Sequence, residues 1–343
     1  MRASRAYCIS LEEQKKMGFD ISSCTKAYKS GWVYLMDSHL KQLPDINPGF
    51  YGGGAGIALA LKEGMESSLL EDNDHNRSIL LQCLSLAPTG LNMESGIAGQ
   101  GIALLQAAKY LSPDIAQQKM DNYIGLLQDS FYEHSAWVYS DNKSDKYIHA
   151  MGFANGNTGI LWFLLSMLSH HPNEAARKMA IQSLKMTVSV SKRIHRLIKK
   201  ESLRVIYDNP FLCDTIQGLA LVFIKAYETF KDPLYKDLAE SLLSIYPAHI
   251  CHENFTQAVG LAGLGELYLS AFKVFEDPKW YERAGWIRGL FINTSFKESK
   301  GAIYWLGGNA AFPTADLMVG NSGIMHFLLR YEHKEKIGHC LLQ

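Results

Sequence analysis

The chain has 343 residues, 47% of them hydrophobic and 20% charged, with 34 Lys and Arg balanced by 34 Asp and Glu. Zero net charge gives no global field to draw nucleic acid or an anionic membrane, and the densest basic run, RIHRLIKK from Arg193, reads as a solvated helix end. No stretch approaches the roughly 18 apolar residues of a membrane span, and the first residues lack the apolar core of a secretory signal. Six scattered cysteines without a CxxC pair do not make a disulfide framework, so the expectation is a cytoplasmic protein with reduced thiols.

In chain order, six segments share a small-residue step followed by an aliphatic run: YGGGAGIALAL, ESGIAGQGIALLQAA, ANGNTGILWFLLSML, CDTIQGLALVFIKAY, AVGLAGLGELYLSAF and LMVGNSGIMHFLLRY. Aligned on the second glycine they place Gly56, Gly99, Gly159, Gly218, Gly263 and Gly323 in register, 43 to 60 residues apart. That period accommodates two helices and their connections. Between the glycine segments lie amphipathic patterns such as AARKMAIQSLKMTVSVSKRIHRLI from Ala175 and PLYKDLAESLLSIY from Pro233, with Pro near several starts. The glycine-led helices are apolar nearly all round and require burial, whereas the intervening ones can face water on one side. A ring of inner helices inside a ring of outer ones satisfies both, and the expectation is an all-α protein, an α/α toroid with short irregular or β insertions. SAWVYS and AIYWLG are the candidates for short strands or ordered loops at the rim.

A glycine at each inner helix entrance suggests close backbone approach or dihedrals closed to other residues. If the inner helices run parallel, their unpaired N–H groups gather at one end as a site for an anion or a thiolate. The alternative is that the GxxG pattern is only a packing device.

The six GxxG segments in register resemble the lanthionine synthetase cyclase family, the LanC-like proteins, over roughly residues 50 to 330. GFANGNTGILWFLL is similar to that family's Gly-x-Ala-His-Gly repeat and DLMVGNSGIMHFLLR to its closing repeat. The resemblance implies a single toroid domain over 1–343 with six to seven hairpins, residues 1–48 forming an atypical first hairpin, and inner helices starting near 53, 96, 156, 215, 260 and 320. It also implies thioether formation, in which a peptide cysteine thiol adds to a dehydroalanine or dehydrobutyrine. In the family, two Cys and one His hold a zinc that activates the thiol, and a His and an Asp handle protons. Carried over by position, the first zinc cysteine falls on Cys213, but the adjacent Cys-His pair falls on Ala258 and Val259, the proton-handling His on Asn155 and the Asp on Asn92.

A displaced Cys-His pair, Cys251-His252, leaves open a zinc set of Cys213, Cys251 and His252. Without metal, Cys213 is either a thiol near a helix start or a small buried apolar residue. His149, six residues before Asn155, is a candidate base or a structural histidine. Glu94, Asp214 and Asp316 stand ahead of helix entrances, either as caps or as site carboxylates. The expected functional set is therefore His149, Asn155 and Asp214 for catalysis and Asn92, Glu94, Asn155, Cys213 and Asp214 for substrate binding, with no cofactor favoured and zinc possible. The partner expected is a dehydrated or Cys-containing precursor peptide, or another modification enzyme. A third reading is a carbohydrate-active toroid, with Trp137, Tyr139, Tyr304 and Trp305 available for sugar stacking.

Overall fold

A computed structural model describes residues 14–38, 40, 45–131, 136–137, 151–201, 210–297, 301, 303–306 and 312–339, without the side chains of 199–201 and 210–213. His149 and Tyr139 lie outside the described residues. The chain forms two compact units, Met1–Asp129 with Glu335–Gln343, and Ser130–Lys334.

In the first unit the helices are α1 (Ser22–Ser38), α2 (Gly54–Glu66), α3 (Asp74–Leu84), α4 (Ile97–Ala107) and α5 (Pro113–Asp129). The second holds α6 (Asn157–Leu168), α7 (Glu174–Glu201), α8 (Pro210–Phe230), α9 (Pro233–Leu243), α10 (Leu261–Phe275), α11 (Pro278–Thr294) and α12 (Asn321–Glu332). Its strands β1 (Phe296–Lys297) and β2 (Ile303–Tyr304) pair antiparallel, so AIYWLG contributes a short strand. Of SAWVYS only Ala136 and Trp137 are described.

Burial divides the helices as their sequences require. α2 is buried continuously from Gly54 to Lys62, and α6 from Asn157 to Leu165. The intervening helices bury one stripe each: Ile79, Leu80, Cys83 and Leu84 on α3, and Trp280, Ala284, Ile287 and Phe291 on α11. Residues three and four apart recur within each set, the stripe of an amphipathic helix with one wet face. Each glycine-led helix packs on the amphipathic helix that follows it: α2 on α3, α4 on α5, α6 on α7, α8 on α9, and α10 on α11. The turns are encoded locally. Lys231 and Glu276 take φ near +58° and +56°, Asp232 and Asp277 cap the next helix, and Pro233 and Pro278 occupy its first position.

The entrances of the glycine-led helices share one loop. Seven residues before the first helical residue the chain turns back over the helix end, and its carbonyls accept the first N–H groups. Gly54 N donates to Asn47 O at 2.8 Å, Ile97 N to Gly90 O at 3.0 Å, Leu261 N to Asn254 O at 2.9 Å and Asn321 N to Thr314 O at 2.9 Å. In three of these entrances the next N–H groups do likewise, as with Ala98 N to Leu91 O at 3.1 Å. The expectation of unpaired N–H groups gathered for an anion is therefore overturned at these entrances, where the chain's own carbonyls take them up.

The expected dihedral reason for the glycines is also corrected. Gly53 and Gly96 have φ near −129° and −127°, open to any residue. Space is what they lack: a Cβ on Gly96 would lie 2.2 Å from Gly90 O, and one on Gly53 2.0 Å from Asn47 O. The second glycine seats the neighbouring repeat as well. A Cβ at Gly99 would press on the Phe50 side chain at 2.9 Å, at Gly323 on that of Gln257 at 2.7 Å, and at Gly218 on Phe153 at 3.3 Å. Phe50, Phe153 and Gln257 all stand three residues before the first glycine of their repeats. Entrance therefore sits beside entrance, and the inner helices of each unit run parallel, as α2 with α4 and as α6, α8, α10 and α12 in succession.

Gly96→Ala is expected to cost about 2–3 kcal/mol, because the obstacle is backbone that cannot repack. Gly125→Ala, in an exposed helical position with nothing within 4 Å, should add about 0.5–1 kcal/mol. Urea unfolding of both variants checks this, and effects of equal sign would discard the loop-carbonyl account.

Candidate functional site

α8 breaks the pattern. Thr215 stands where the other repeats carry their first glycine. A Cβ there meets the carbonyl six residues back, so the return loop cannot form with threonine. The helix instead continues backward to Pro210, five residues beyond the start near 215 that the repeat spacing suggests. Asp214 is thereby carried on a helix wall, and its Oδ2 accepts from Phe153 N at 3.2 Å. Phe153 belongs to the entrance loop of α6, held down by Thr158 Oγ1 donating to Met151 O at 2.9 Å. Part of the Asp214 surface stays open, yet its carboxyl lies deep enough that burial pushes its pKa up to about 6 against the counter-pull of the Phe153 N–H. A carboxyl in that range exchanges a proton readily near neutral pH.

The structure thus brings Asp214 to the loop that carries Asn155, which is exposed two residues beyond Phe153. Asn92 and Glu94 lie in the first unit. Asn92 builds its own entrance loop, its Oδ1 accepting from Ser95 N at 2.9 Å and Ser95 Oγ at 3.2 Å, while Glu94 O accepts from Phe50 N at 3.1 Å. Asp316 caps in the same manner, its Oδ1 accepting from Met318 N and Val319 N. Of the three carboxylates before helix entrances, Asp214 is the one carried on a helix and not in a loop.

The residues do not fit a zinc ion as the family would hold it. Ala258 and Val259 offer no ligand, and Ala258 N donates to Met318 O at 2.8 Å, fixing that loop on the next repeat's entrance. Cys251 is exposed, and His252 accepts a hydrogen bond from Asn254 N at 3.0 Å through Nδ1. A neutral imidazole accepting at Nδ1 carries its proton on Nε2, which leaves no lone pair for a metal unless that bond breaks. Among the described residues no three His, Cys, Asp or Glu side chains gather around one point. The Cys213 side chain is outside them.

Of the four aromatic residues named for sugar stacking, the two tryptophans have other roles. Trp305 is 5% and Trp137 4% exposed. Trp137 N donates to Asn157 Oδ1 at 2.8 Å and Trp305 N to Asn321 Oδ1 at 2.7 Å, each Asn being the first residue of a glycine-led helix. Trp305 Nε1 donates to Phe291 O at 2.8 Å. Both tryptophans brace entrances and present no stacking face.

Sequence reasoning missed a buried polar cluster between α10 and α12. Glu266 Oε1 pairs with His326 Nδ1 at 2.8 Å, its other oxygen pairs with Arg330 Nη1, and Arg330 Nη2 reaches Ser270 Oγ at 3.1 Å. His326 Nε2 is buried without a hydrogen-bond partner among the described residues, as is Gln257 Oε1. The signal was present: Glu266 and His326 stand six residues after their first glycines, and Ser270 and Arg330 ten after, in otherwise apolar helices.

The sequence matches the family described as Lanthionine synthetase C-like protein over residues 21–342, and the chain belongs to that family. The solved structure of nisin cyclase superposes with a TM-score of 0.66 at 16% identity, covering 99% of this chain and 89% of that one. The shared fold is the α/α toroid. A structure of D-mannose isomerase superposes at 0.49 with 12% identity, over 83% of this chain and 86% of that one. No curated protein matches.

The Asp214 shift has a definite sign. Between the ordinary carboxyl pKa and about 6 the folded chain binds a proton that the unfolded chain has lost, so stability falls as pH rises through that window. Asp214→Asn, which can still accept from Phe153 N, is expected to be more stable than the native chain by about 1–2 kcal/mol at pH 8, with the difference closing near pH 4. Urea midpoints at the two pH values measure it, and a pH-independent difference would contradict the assignment.

Proposed function

We propose that this chain is a LanC-like peptide-modification protein that works without zinc, binding a dehydrated or Cys-containing precursor peptide at the GxxG ends of its inner helices. The observation that carries the reading is the pair Ala258 and Val259 where the family resemblance implies two zinc ligands, with Ala258 N held on Met318 O. The hydrogen bond from Asn254 N that occupies His252 Nδ1 supports it.

The chemistry such a site can serve is addition of a peptide thiol across the double bond of dehydroalanine or dehydrobutyrine. Sulfur bonds to Cβ, the π electrons pass into an enolate, and the enolate Cα takes a proton, so S–H adds across C=C with nothing left over. Asp214 suits the proton work, since a carboxyl with a pKa of about 6 is largely ionised at neutral pH and returns its proton at little cost. Asn155, in the position of the family's His, can donate a hydrogen bond but cannot act as a base. Thiol activation then rests on the thiol's own ionisation, and turnover is slow; with Asp214 silent, the same site is a binding partner for another modification enzyme.

Two measurements separate the readings. Elemental analysis of the purified protein is expected to give zinc well below one equivalent, unchanged in Cys213→Ala; stoichiometric zinc lost in that variant would establish the cyclase site Cys213, Cys251 and His252 instead. A dehydrated model peptide carrying one cysteine is expected to bind, with any thioether formation reduced at least about tenfold in Asp214→Asn. Failure of dehydrated and undehydrated peptides alike to bind would remove the peptide reading.

A further inference from the structure

We propose that the exposed face of α1 docks an acidic amphipathic segment of a partner protein, through a surface independent of the peptide site above. α1 is a 17-residue helix that buries only Leu35. It is fastened to α2 by Tyr28, whose hydroxyl donates to Ala60 O at 3.1 Å. A helix of this length takes most of its stability from packing an apolar face, and here Cys24, Tyr28, Trp32 and Met36 on that face are only half-buried, while the opposite face, with Lys26, Lys29 and Val33, is exposed.

Beside it Met17, Phe19, Val33 and Tyr34 are 57–66% exposed. These large apolar side chains on a short span of chain, rimmed by charge, have the composition of an interaction surface. A shallow, open groove of about 850 Å³ runs along the helix, lined by Phe19, Ile21 and Val33 together with Lys15, Lys26 and Lys29.

The lysines specify the occupant. Lys15, Lys26 and Lys29 form no ion pair among the described residues, although Lys62, Lys109, Lys225 and Lys279 all do. Lys26 and Lys29 lie three apart on the helix, where like charges repel and an external carboxylate relieves both. Asp20, the acidic residue in the groove, is turned onto its own chain, its carboxylate accepting from Ser22 N at 2.9 Å and Ser22 Oγ at 3.1 Å. The groove thus offers cations and apolar side chains together. A segment with Glu or Asp on one face and aliphatic residues on the other complements both, whereas a basic segment complements neither.

The test uses the full chain and a fluorescent peptide of about four helical turns with Glu on one face and Leu on the other, beside its Lys-for-Glu counterpart. Anisotropy is expected to show binding of the acidic peptide, weakened at least about tenfold by Lys26→Glu with Lys29→Glu, by Val33→Asp and by raised salt, with no binding of the basic peptide. Lys26→Gln with Lys29→Gln stands in if charge reversal unsettles α1, as judged by circular dichroism. Equal affinity for the two peptides, or affinity unmoved by the lysine variants, overturns the proposal. So does concentration-dependent dimerisation abolished by Val33→Asp, which would make a second copy the occupant, or binding confined to anionic vesicles.

Discussion

The close approach of a returning backbone to the first turn of each inner helix is the constraint on which the rest of the structure depends. A carbonyl placed where a Cβ would stand, as Asn47 O does against Gly53, admits only glycine. In return the helix end, which is buried and cannot look to water, has its N–H groups satisfied by its own chain. The second glycine extends the bargain to the neighbour, whose Phe50, Phe153 or Gln257 side chain fills the space left by the missing Cβ. One loop geometry therefore sets the spacing of the inner helices, their parallel sense within each unit and the level of their entrances.

Where that geometry fails, chemistry becomes possible. Thr215 cannot sit under a carbonyl, and α8 is already helical from Pro210, so Asp214 stands on a helix wall at a position that is loop in the other repeats. In the intact repeats the comparable residues, Asn92 and Asp316, turn their oxygens onto N–H groups of their own loops. Asp214 has no such loop and turns instead to Phe153 N of the preceding repeat, where a single hydrogen bond does not offset burial. Its pKa is a consequence of one substitution in the repeat.

The fold was legible because the repeat is written twice, once in the glycine register and once in the alternation of all-apolar and amphipathic helices. Either alone is weak; together they leave few architectures. The close approach required of the glycines was legible, but the expected dihedral role was not separable from it, since a sequence does not distinguish a residue chosen for φ from one chosen for the absence of Cβ. At the candidate site, the missing ligands at Ala258 and Val259 were plain from register, whereas the tautomer that disarms His252 depends on Asn254 N, a contact no pattern encodes. The tryptophans misled for a related reason: aromatic content signals a surface or a core equally well, and Trp137 and Trp305 are buried, their backbone N–H groups held by Asn157 and Asn321.

Two departures from the repeat carry different energetic weight, and the contrast bears on which one is functional. Glu266 and Arg330 are buried as a charge pair that also engages His326 Nδ1, so although His326 Nε2 finds no partner among the described residues, the two opposite charges meet and the cluster ties α10 to α12. Asp214 lacks any cationic neighbour among the causes of its shift, and above its pKa of about 6 the folded chain holds a partly desolvated charge with one N–H for company. A substitution as small as Asn would relieve that conflict while keeping the hydrogen bond. Local conflicts of this kind, costly to stability and easily repaired, are expected where a group is kept for what it does. On the proposed reading, Asp214 is therefore the feature that argues for proton chemistry in this toroid, against a role confined to binding.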